Sequence, residues 1–132
     1  MRRASFWSAR DAINSIKGLV TMQNEEQIWN LVDAKKEAFI GLSDRVFETP
    51  ETLYNEYASV AEHVAALKEQ GFAVTEGICG MPTAVMGEAG TEGPVIAILG
   101  EFDALPGLSQ EPGRAEHSPI ESGGNGHGCG HN

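Results

Sequence analysis

The sequence predicts an α/β fold in which two amphipathic helices precede the strands of a mixed sheet. Three observations support this prediction. Apolar residues recur at helical spacing in two segments, and each segment is followed by a residue that ends helices. Two short segments of strand-like composition come next, and then a continuous apolar run at 95–99. Helices and strands in this order are typical of the opening of an α/β or α+β layer.

The first helix is predicted over Glu25–Phe47. Its apolar residues lie three, four and seven positions apart and form one stripe: Ile28, Leu31, Val32, Phe39, Leu42 and Val46. Pro50 disfavours helical geometry at the residue before it, so the helix is expected to end ahead of it.

The second helix is predicted to begin with a capping box, in which Ser59 and Glu62 satisfy each other's backbone donors. Val60, Val64 and Leu67 would face inward. Gly71 is expected to end the helix, because glycine readily adopts the left-handed conformation that follows a helical C-terminus.

Three strand segments are predicted after the helices. They are "FAVTEG" at 72–77, "TAVMGE" at 83–88 and the apolar run at 95–99, which suits a strand buried on both faces. The turn clusters "ICGMP" and "EAGTEG" separate them. Cys79, in the first of these turns, is expected to be a small buried hydrophobe.

Composition limits the class of protein. A chain of 132 residues has room for one domain at most, and its net charge of −10 makes a nucleic-acid partner unfavourable. No apolar run approaches the ~18 residues that a membrane span needs. Two cysteines fifty positions apart do not form a disulfide framework, so a reducing, cytoplasmic location is expected.

The first 21 residues differ from the rest, since they contain four basic residues and one acid. This composition is typical of an organelle transit peptide and lacks the apolar core of a secretory signal. A basic N-terminal extension over 1–21, or a translation start at Met22, is the preferred interpretation, because Met22 leads directly into the first helical pattern.

Residues 107–132 show no periodicity, and a loop of that length is usually functional or disordered. It ends in "HGCGHN", where His127, Cys129 and His131 alternate with glycine. Thiolate and imidazole are ligands for zinc and similar metals, and a closed site needs four of them. The segment therefore indicates an open or incomplete metal site, or else a glycine-rich tail with scattered ligands. His63 is interpreted as a surface residue of the second helix, and His117 as a loop residue with no partner nearby in sequence.

A pair of carboxylates follows the third predicted strand. Glu101 and Asp103 lie two residues apart in "LGEFDALPG", so both can face the same side. In open α/β sheets, ligands bind at the carboxyl ends of strands. A carboxylate there can orient a metal-bound histidine or bridge metals directly, although a lone acid at a strand end is usually just solvated.

Together these motifs resemble those of a known family. "VIAILGEFDALPGLSQ", followed by a loop and "GNGHGCGHN", is similar to the co-catalytic metallopeptidase superfamily of aminoacylases, amidohydrolases and glutamate carboxypeptidases. Within it the closest likeness is to the branch that acts on p-aminobenzoyl-glutamate. The resemblance runs from about Glu25 to Asn132, where Asn132 replaces the aspartate that most of the amidohydrolase branch carries.

The resemblance implies roles for particular residues. Cys129 and His131 would be metal ligands, for Zn or Mn, with two ions in each complete active site. Asp103 would support the metal site, His127 would lie near it, and the role of Glu101 stays open. The family's general base, a glutamate of a downstream Glu-Glu pair, is absent from this chain.

The resemblance also implies a fold, a substrate and partners. Residues 22–132 would be the N-terminal part of a zinc-peptidase-like catalytic domain, truncated before the lid and dimerisation domain. The complete enzyme would cleave an N-acyl or aroyl amino acid, such as p-aminobenzoyl-glutamate, as a homodimer or with a homologous subunit. The 132-residue chain alone is expected to be inactive and to expose the apolar run at 95–99. The alternative is a non-catalytic remnant, or a metal-binding or interaction piece of such an enzyme.

Overall fold

The computed structural model describes residues 24–132 and contains both helices and strands. Helix α1 spans Glu25–Phe47 and helix α2 spans Tyr57–Glu69. Strands β1, Ala73–Glu76, and β2, Val85–Glu88, form a two-stranded antiparallel sheet. The mixed α/β class is therefore confirmed at this coarse level. The predicted basic extension at 1–21 and the alternative start at Met22 lie outside the described residues.

The chain divides into two compact units, with the boundary between Lys36 and Glu37 inside α1. Apart from the first half of α1, the features below lie in the second unit. Its buried apolar side chains are few: Val46, Val60, Val64 and Ala104. No helix in the described part of the chain is both long enough and apolar enough to cross a membrane.

Helix α1 has the bounds that its apolar spacing predicts. Two backbone hydrogen bonds close the C-terminal end of the helix: Glu48 N–H donates to the carbonyl of Asp44, and Thr49 N–H donates to that of Val46. Pro50 follows directly. Of the stripe residues in the second unit, Val46 is fully buried, whereas Phe39 is exposed. Only the last turn of this stripe therefore contributes to the core.

The predicted capping box at the start of α2 is wrong. The helix begins at Tyr57, and Ser59 lies inside its first turn, fully buried. Glu62 is paired with Arg45 of α1 at 2.6 Å. Local sequence could not reveal this, because the residue that satisfies the free N–H groups of the first turn lies outside the helix.

That residue is Glu51. One of its carboxylate oxygens accepts a hydrogen bond from Ala58 N–H at 3.0 Å. The other accepts from Ser59 N–H at 2.8 Å and from the Ser59 hydroxyl at 2.9 Å. Burial by itself raises the pKa of Glu51, but these hydrogen bonds outweigh it and hold the pKa below its ordinary value of 4.5. The carboxylate thus caps α2 in its charged form, where the helix dipole also favours negative charge.

Gly71 terminates α2, as predicted, two residues after the last helical residue Glu69. Gly71 has a positive φ of 82°, its N–H bonds to the carbonyl of Lys68, and Phe72 N–H bonds to that of Leu67. These two bonds form a Schellman motif, which turns the chain sharply from the helix into β1.

The hairpin that follows matches two of the three predicted strands. Ala73 pairs with Glu88 and Glu76 with Val85, and a short 3-10 turn, Ile78–Gly80, connects the strands. The prediction that Cys79 is buried is wrong, because it lies in this connection with a positive φ of 55° and an exposed side chain.

The third predicted strand is absent from the described structure. Residues 95–99 form no strand, and their large side chains are 82% to 98% exposed. The run has the composition of a strand buried on both faces, but such a strand needs neighbours on each side, and none of the described residues pair with it. The expectation that this apolar run is exposed in the 132-residue chain is confirmed.

Replacement of Glu51 by Gln is expected to destabilise the fold in a pH-dependent way. At pH 7 the loss in the free energy of unfolding should be about 1 kcal/mol, as for other N-terminal caps. Because folding lowers the pKa of Glu51, its contribution is fully present above the ordinary value of 4.5 and is lost as pH falls through the lower folded-state value. Urea unfolding followed by circular dichroism, at several pH values, measures this.

Glu48→Gln is the matched control, since Glu48 is exposed and loses the same charge. An equal effect of the two substitutions, or a gap between parent and Glu51→Gln that stays constant into strong acid, would contradict the capping role.

Candidate metal centre

The two motifs that the sequence singles out are joined by backbone pairing. Leu105 N–H bonds to the carbonyl of Gly126 at 3.0 Å, and Gly126 N–H bonds to that of Leu105 at 3.0 Å. Ser109 N–H bonds to the carbonyl of Gly124, also at 3.0 Å. This antiparallel contact brings the segment after Asp103 alongside the segment that leads to His131.

Glycine is required where the segments touch. A β-carbon on Gly126 would overlap the carbonyl oxygen of Leu108, and one on Gly128 would lie 2.8 Å from a methyl group of the same leucine. Real β-carbons do not approach other atoms so closely. Gly126 and Gly128 thus allow close packing against Leu108.

Asp103 and His131 form the central contact of the site. Nδ1 of His131 lies 2.8 Å from Oδ1 of Asp103, and both side chains are about three-quarters buried. A carboxylate can only accept, so the imidazole donates its Nδ1–H. In the neutral ring, this bond selects the tautomer that carries the proton on Nδ1 and leaves a lone pair on Nε2. Metal-binding histidines in proteins are oriented in this way.

His127 is buried, with 5% of its surface exposed. Its ring is tilted by 35° against that of Phe47, with centroids 6.2 Å apart, and neither ring nitrogen has a hydrogen-bond partner in the described part of the chain. Burial lowers the pKa of His127 and so favours the neutral ring. The backbone of Val46 acts in the opposite direction and raises the pKa of His127, although it forms no hydrogen bond of normal geometry with the ring.

Weaker charge effects reach His127 from the pair. His131 lowers the pKa of His127 and Asp103 raises it, so the three side chains share one electrostatic environment. His127 therefore lies within electrostatic range of Asp103 and His131, and its place near a metal site stays a prediction.

Cys129 and Glu101 are not drawn into the cluster. Gly130 N–H bonds to the carbonyl of His127 at 2.9 Å, which closes a turn with Cys129 at an exposed corner. Glu101 is exposed at the end of the apolar run. Across residues 24–132, no three His, Cys, Asp or Glu side chains converge tightly enough to hold a metal ion.

The donor chemistry nevertheless fits a borderline divalent metal. His131 offers an oriented imidazole nitrogen, and Cys129 offers a free thiol two residues away. Gly128 and Gly130 flank that cysteine, and Gly130 already has a positive φ of 79°. Thus the residue types suit the ion, while the described geometry gathers only part of a ligand set.

Several residues near the site carry no signal in the sequence. Phe102 stacks on His63 of α2 with ring centroids 4.8 Å apart, and His63 donates its Nδ1–H to the carbonyl of Ser59. His63, interpreted as a surface residue, is half-buried and partnered, and His117 lies in the loop with an exposed side chain. The side-chain amide of Asn132 bonds to the hydroxyl of Ser43 in α1 at 2.8 Å.

The irregular loop before the site is internally ordered. The Gln110 side chain donates to the carbonyl of Glu116 at 2.8 Å and accepts from Ser118 N–H at 2.9 Å. The hydroxyl of Ser109, which is buried, accepts from Glu121 N–H. The loop thus closes on its own polar side chains, as compact surface loops do, and needs no regular secondary structure.

Two known proteins are similar to this chain. One, a subunit of p-aminobenzoyl-glutamate hydrolase from Escherichia coli (strain K12), is 44% identical over 102 residues, which cover 76% of this chain and 21% of the relative. The other, thermostable carboxypeptidase 2 of Saccharolobus solfataricus, is 32% identical over 83 residues, which cover 61% of this chain and 21% of the relative. The chain thus spans about a fifth of the length of these curated relatives. No family model matches it.

Substitution of Gly126 by Ala should separate the two motifs. The added β-carbon meets backbone atoms of Leu108, which cannot move aside as a flexible side chain could. We expect a loss of about 3 kcal/mol in the free energy of unfolding, measured by urea denaturation. Gly100→Ala is the control, because a β-carbon there meets no atom within 4 Å. Equal stability of the two variants would show that the Leu105–Gly126 contact does not form as described.

Proposed function

Because this chain belongs to the amidohydrolase/peptidase superfamily, we propose that it contributes to a metal-dependent hydrolase that cleaves the amide bond of an N-acyl or aroyl amino acid. The proposed substrate is p-aminobenzoyl-glutamate or a close analogue, after the name of the relative from Escherichia coli. Since the chain spans about a fifth of that relative, the proposal concerns the activity of a longer polypeptide.

The observation that carries the proposal is the hydrogen bond between Asp103 and His131. It joins the two motifs that carry the family resemblance, 28 positions apart, in the arrangement used to orient a metal-binding imidazole. We propose His131 and Cys129 as ligands of Zn or Mn, with two ions in the complete site. Such an ion, when bound, polarises the amide carbonyl and lowers the pKa of a bound water.

The described residues have distinct tasks in this proposal. Asp103 holds the His131 ring in one tautomer and one orientation. His127 supplies a buried ring whose two nitrogens have no hydrogen-bond partner among the described residues. Glu101 is exposed, and no hydrogen bond among the described residues assigns it a role. None of the contacts within residues 24–132 assigns a side chain the role of general base, so we expect the 132-residue chain alone not to turn over substrate.

Two further parts of the proposal concern assembly and location. The relative from Escherichia coli is named as a subunit, which supports assembly of this protein with itself or with a homologous subunit. Both cysteines are free and exposed, which suits a reducing compartment, and we propose the cytoplasm.

A non-catalytic remnant, or a metal-binding or interaction piece of such an enzyme, is the second candidate. The non-catalytic interpretation is favoured by one observation, namely that no three donor side chains converge within residues 24–132, whereas a catalytic zinc site uses three protein ligands. The two candidates differ in whether a longer polypeptide hydrolyses amides, so activity separates them.

Replacement of Cys129 by Ser is expected to weaken metal binding more than replacement of Cys79 by Ser. Both thiols are free and exposed, but only Cys129 lies two residues from an oriented imidazole. We expect Zn²⁺ affinity to fall by a factor of about ten or more for Cys129→Ser and to stay unchanged for Cys79→Ser. Competition with a chromophoric chelator measures this, and equal affinities in both variants would remove Cys129 from the ligand set.

Hydrolysis of p-aminobenzoyl-glutamate by the polypeptide of the complete reading frame should stop on chelation and return with Zn²⁺ or Mn²⁺. The 132-residue chain, loaded with either metal, should show no turnover. Release of p-aminobenzoate is the measurement. Activity that survives exhaustive dialysis against a strong chelator would sink the metal-dependent assignment, and absence of activity under all conditions would favour the non-catalytic candidate.

A further inference from the structure

Asp103 lies between Phe102, which contacts α2, and Ala104, which is hydrogen-bonded to Glu51. The chain that leads into it, residues 94–101, forms no regular structure and is exposed throughout. That segment therefore provides little support for the carboxylate. The residues on either side of Asp103, in contrast, are both held.

On one side, Ala104 is anchored to Glu51. Ala104 is 2% exposed, and its N–H donates to the main-chain carbonyl of Glu51 at 2.7 Å. The next residue, Leu105, makes the two bonds to Gly126. One short stretch thus links Glu51 to both motifs of the site.

On the other side, Phe102 contacts His63 of α2, which is itself hydrogen-bonded to Ser59 in the first turn of that helix. Its ring stacks on His63, whose Nδ1–H donates to the carbonyl of Ser59 at 2.8 Å. The Ser59 hydroxyl donates to the carboxylate of Glu51. The contacts of Phe102 and those of Ala104, the two neighbours of Asp103, therefore both lead to the hydrogen-bonded pair Glu51 and Ser59.

The chemistry of that contact requires a carboxylate. Each oxygen of Glu51 accepts at least one hydrogen bond, from Ala58 N–H on one oxygen and from Ser59 on the other. A glutamine would place an NH₂ group against one set of these donors, because only one of its two terminal atoms accepts. Residue 51 would then lose its fixed position on the helix, and its main-chain carbonyl would move with it.

We propose that Glu51 is a positioning residue for the candidate metal centre. Its carboxylate fixes residue 51 to the first turn of α2, and its carbonyl holds Ala104, so that Asp103 is placed to orient His131. The proposal deepens the proposed function and rests on it for the metal, but the geometry of the Asp103–His131 bond can be tested without any metal.

The test is made on the full 132-residue chain by nuclear magnetic resonance of the His131 ring. In the parent, the Nδ1–H of His131 should exchange slowly with solvent, because Asp103 accepts it. In Glu51→Gln, under conditions where circular dichroism shows the chain folded, we expect that exchange to be about ten times faster and Zn²⁺ affinity to be about ten times weaker.

Two controls separate positioning from general stability. Glu48→Gln removes the same charge from an exposed site, and Val64→Ala weakens the packing of α2 without touching Glu51. Neither should change the His131 signal. Should Glu51→Gln fail to fold, Ser59→Ala, which removes one of the hydrogen bonds to the carboxylate, is compared with Val64→Ala in the same way.

An unchanged His131 signal in Glu51→Gln, or an equal change in Val64→Ala, would overturn the proposal. If the signal changes as expected while Zn²⁺ affinity is the same in every variant, the positioning role stands and His131 is removed from the proposed ligands. Failure of the positioning role and failure of the metal site therefore give different results.

Discussion

The pair of backbone hydrogen bonds between Leu105 and Gly126 is the contact on which the rest of the site depends. Asp103 and His131 belong to segments separated by a long irregular loop, and side chains on two such segments meet only if their backbones are fixed first. The contact is possible because residue 126 has no side chain, which lets its backbone lie against Leu108. A glycine-rich motif therefore serves here as a packing surface.

Two carboxylates determine the electrostatics of this region, and each acts by accepting hydrogen bonds. Glu51 accepts from the first turn of α2 and remains charged because those donors favour the ionised form. Asp103 accepts from His131 and so selects one tautomer of the ring. Burial lowers the pKa of His127 and so favours its neutral form. Both of these carboxylates accept hydrogen bonds. Most of the other acidic residues in the described part of the chain, such as Glu48 and Glu101, are exposed.

The apolar run at 95–99 shows how composition and context can disagree. Its residues are those of a strand enclosed by neighbours, yet in this chain they are exposed and unpaired. A strand is stabilised by hydrogen bonds to adjacent strands and by layers on its faces, and its own residues supply neither. The site is therefore supported by α2 and the loop contacts, and not by the strand that the motif "VIAILG" predicts.

The sequence by itself determined the features that depend on neighbouring residues: the bounds of α1, the end of α2 at Gly71, the hairpin and the presence of Cys129 and His131 as possible ligands. Periodicity, glycine conformation and side-chain chemistry are local properties, so they can be read without coordinates. Only the tertiary structure decided that α2 starts at Tyr57 with Glu51 as its cap, that Cys79 is exposed, and that Asp103 bonds His131 while Cys129 stays apart. These features depend on which segments, distant in sequence, come into contact. No local sequence pattern predicts a hydrogen bond between residues 28 positions apart.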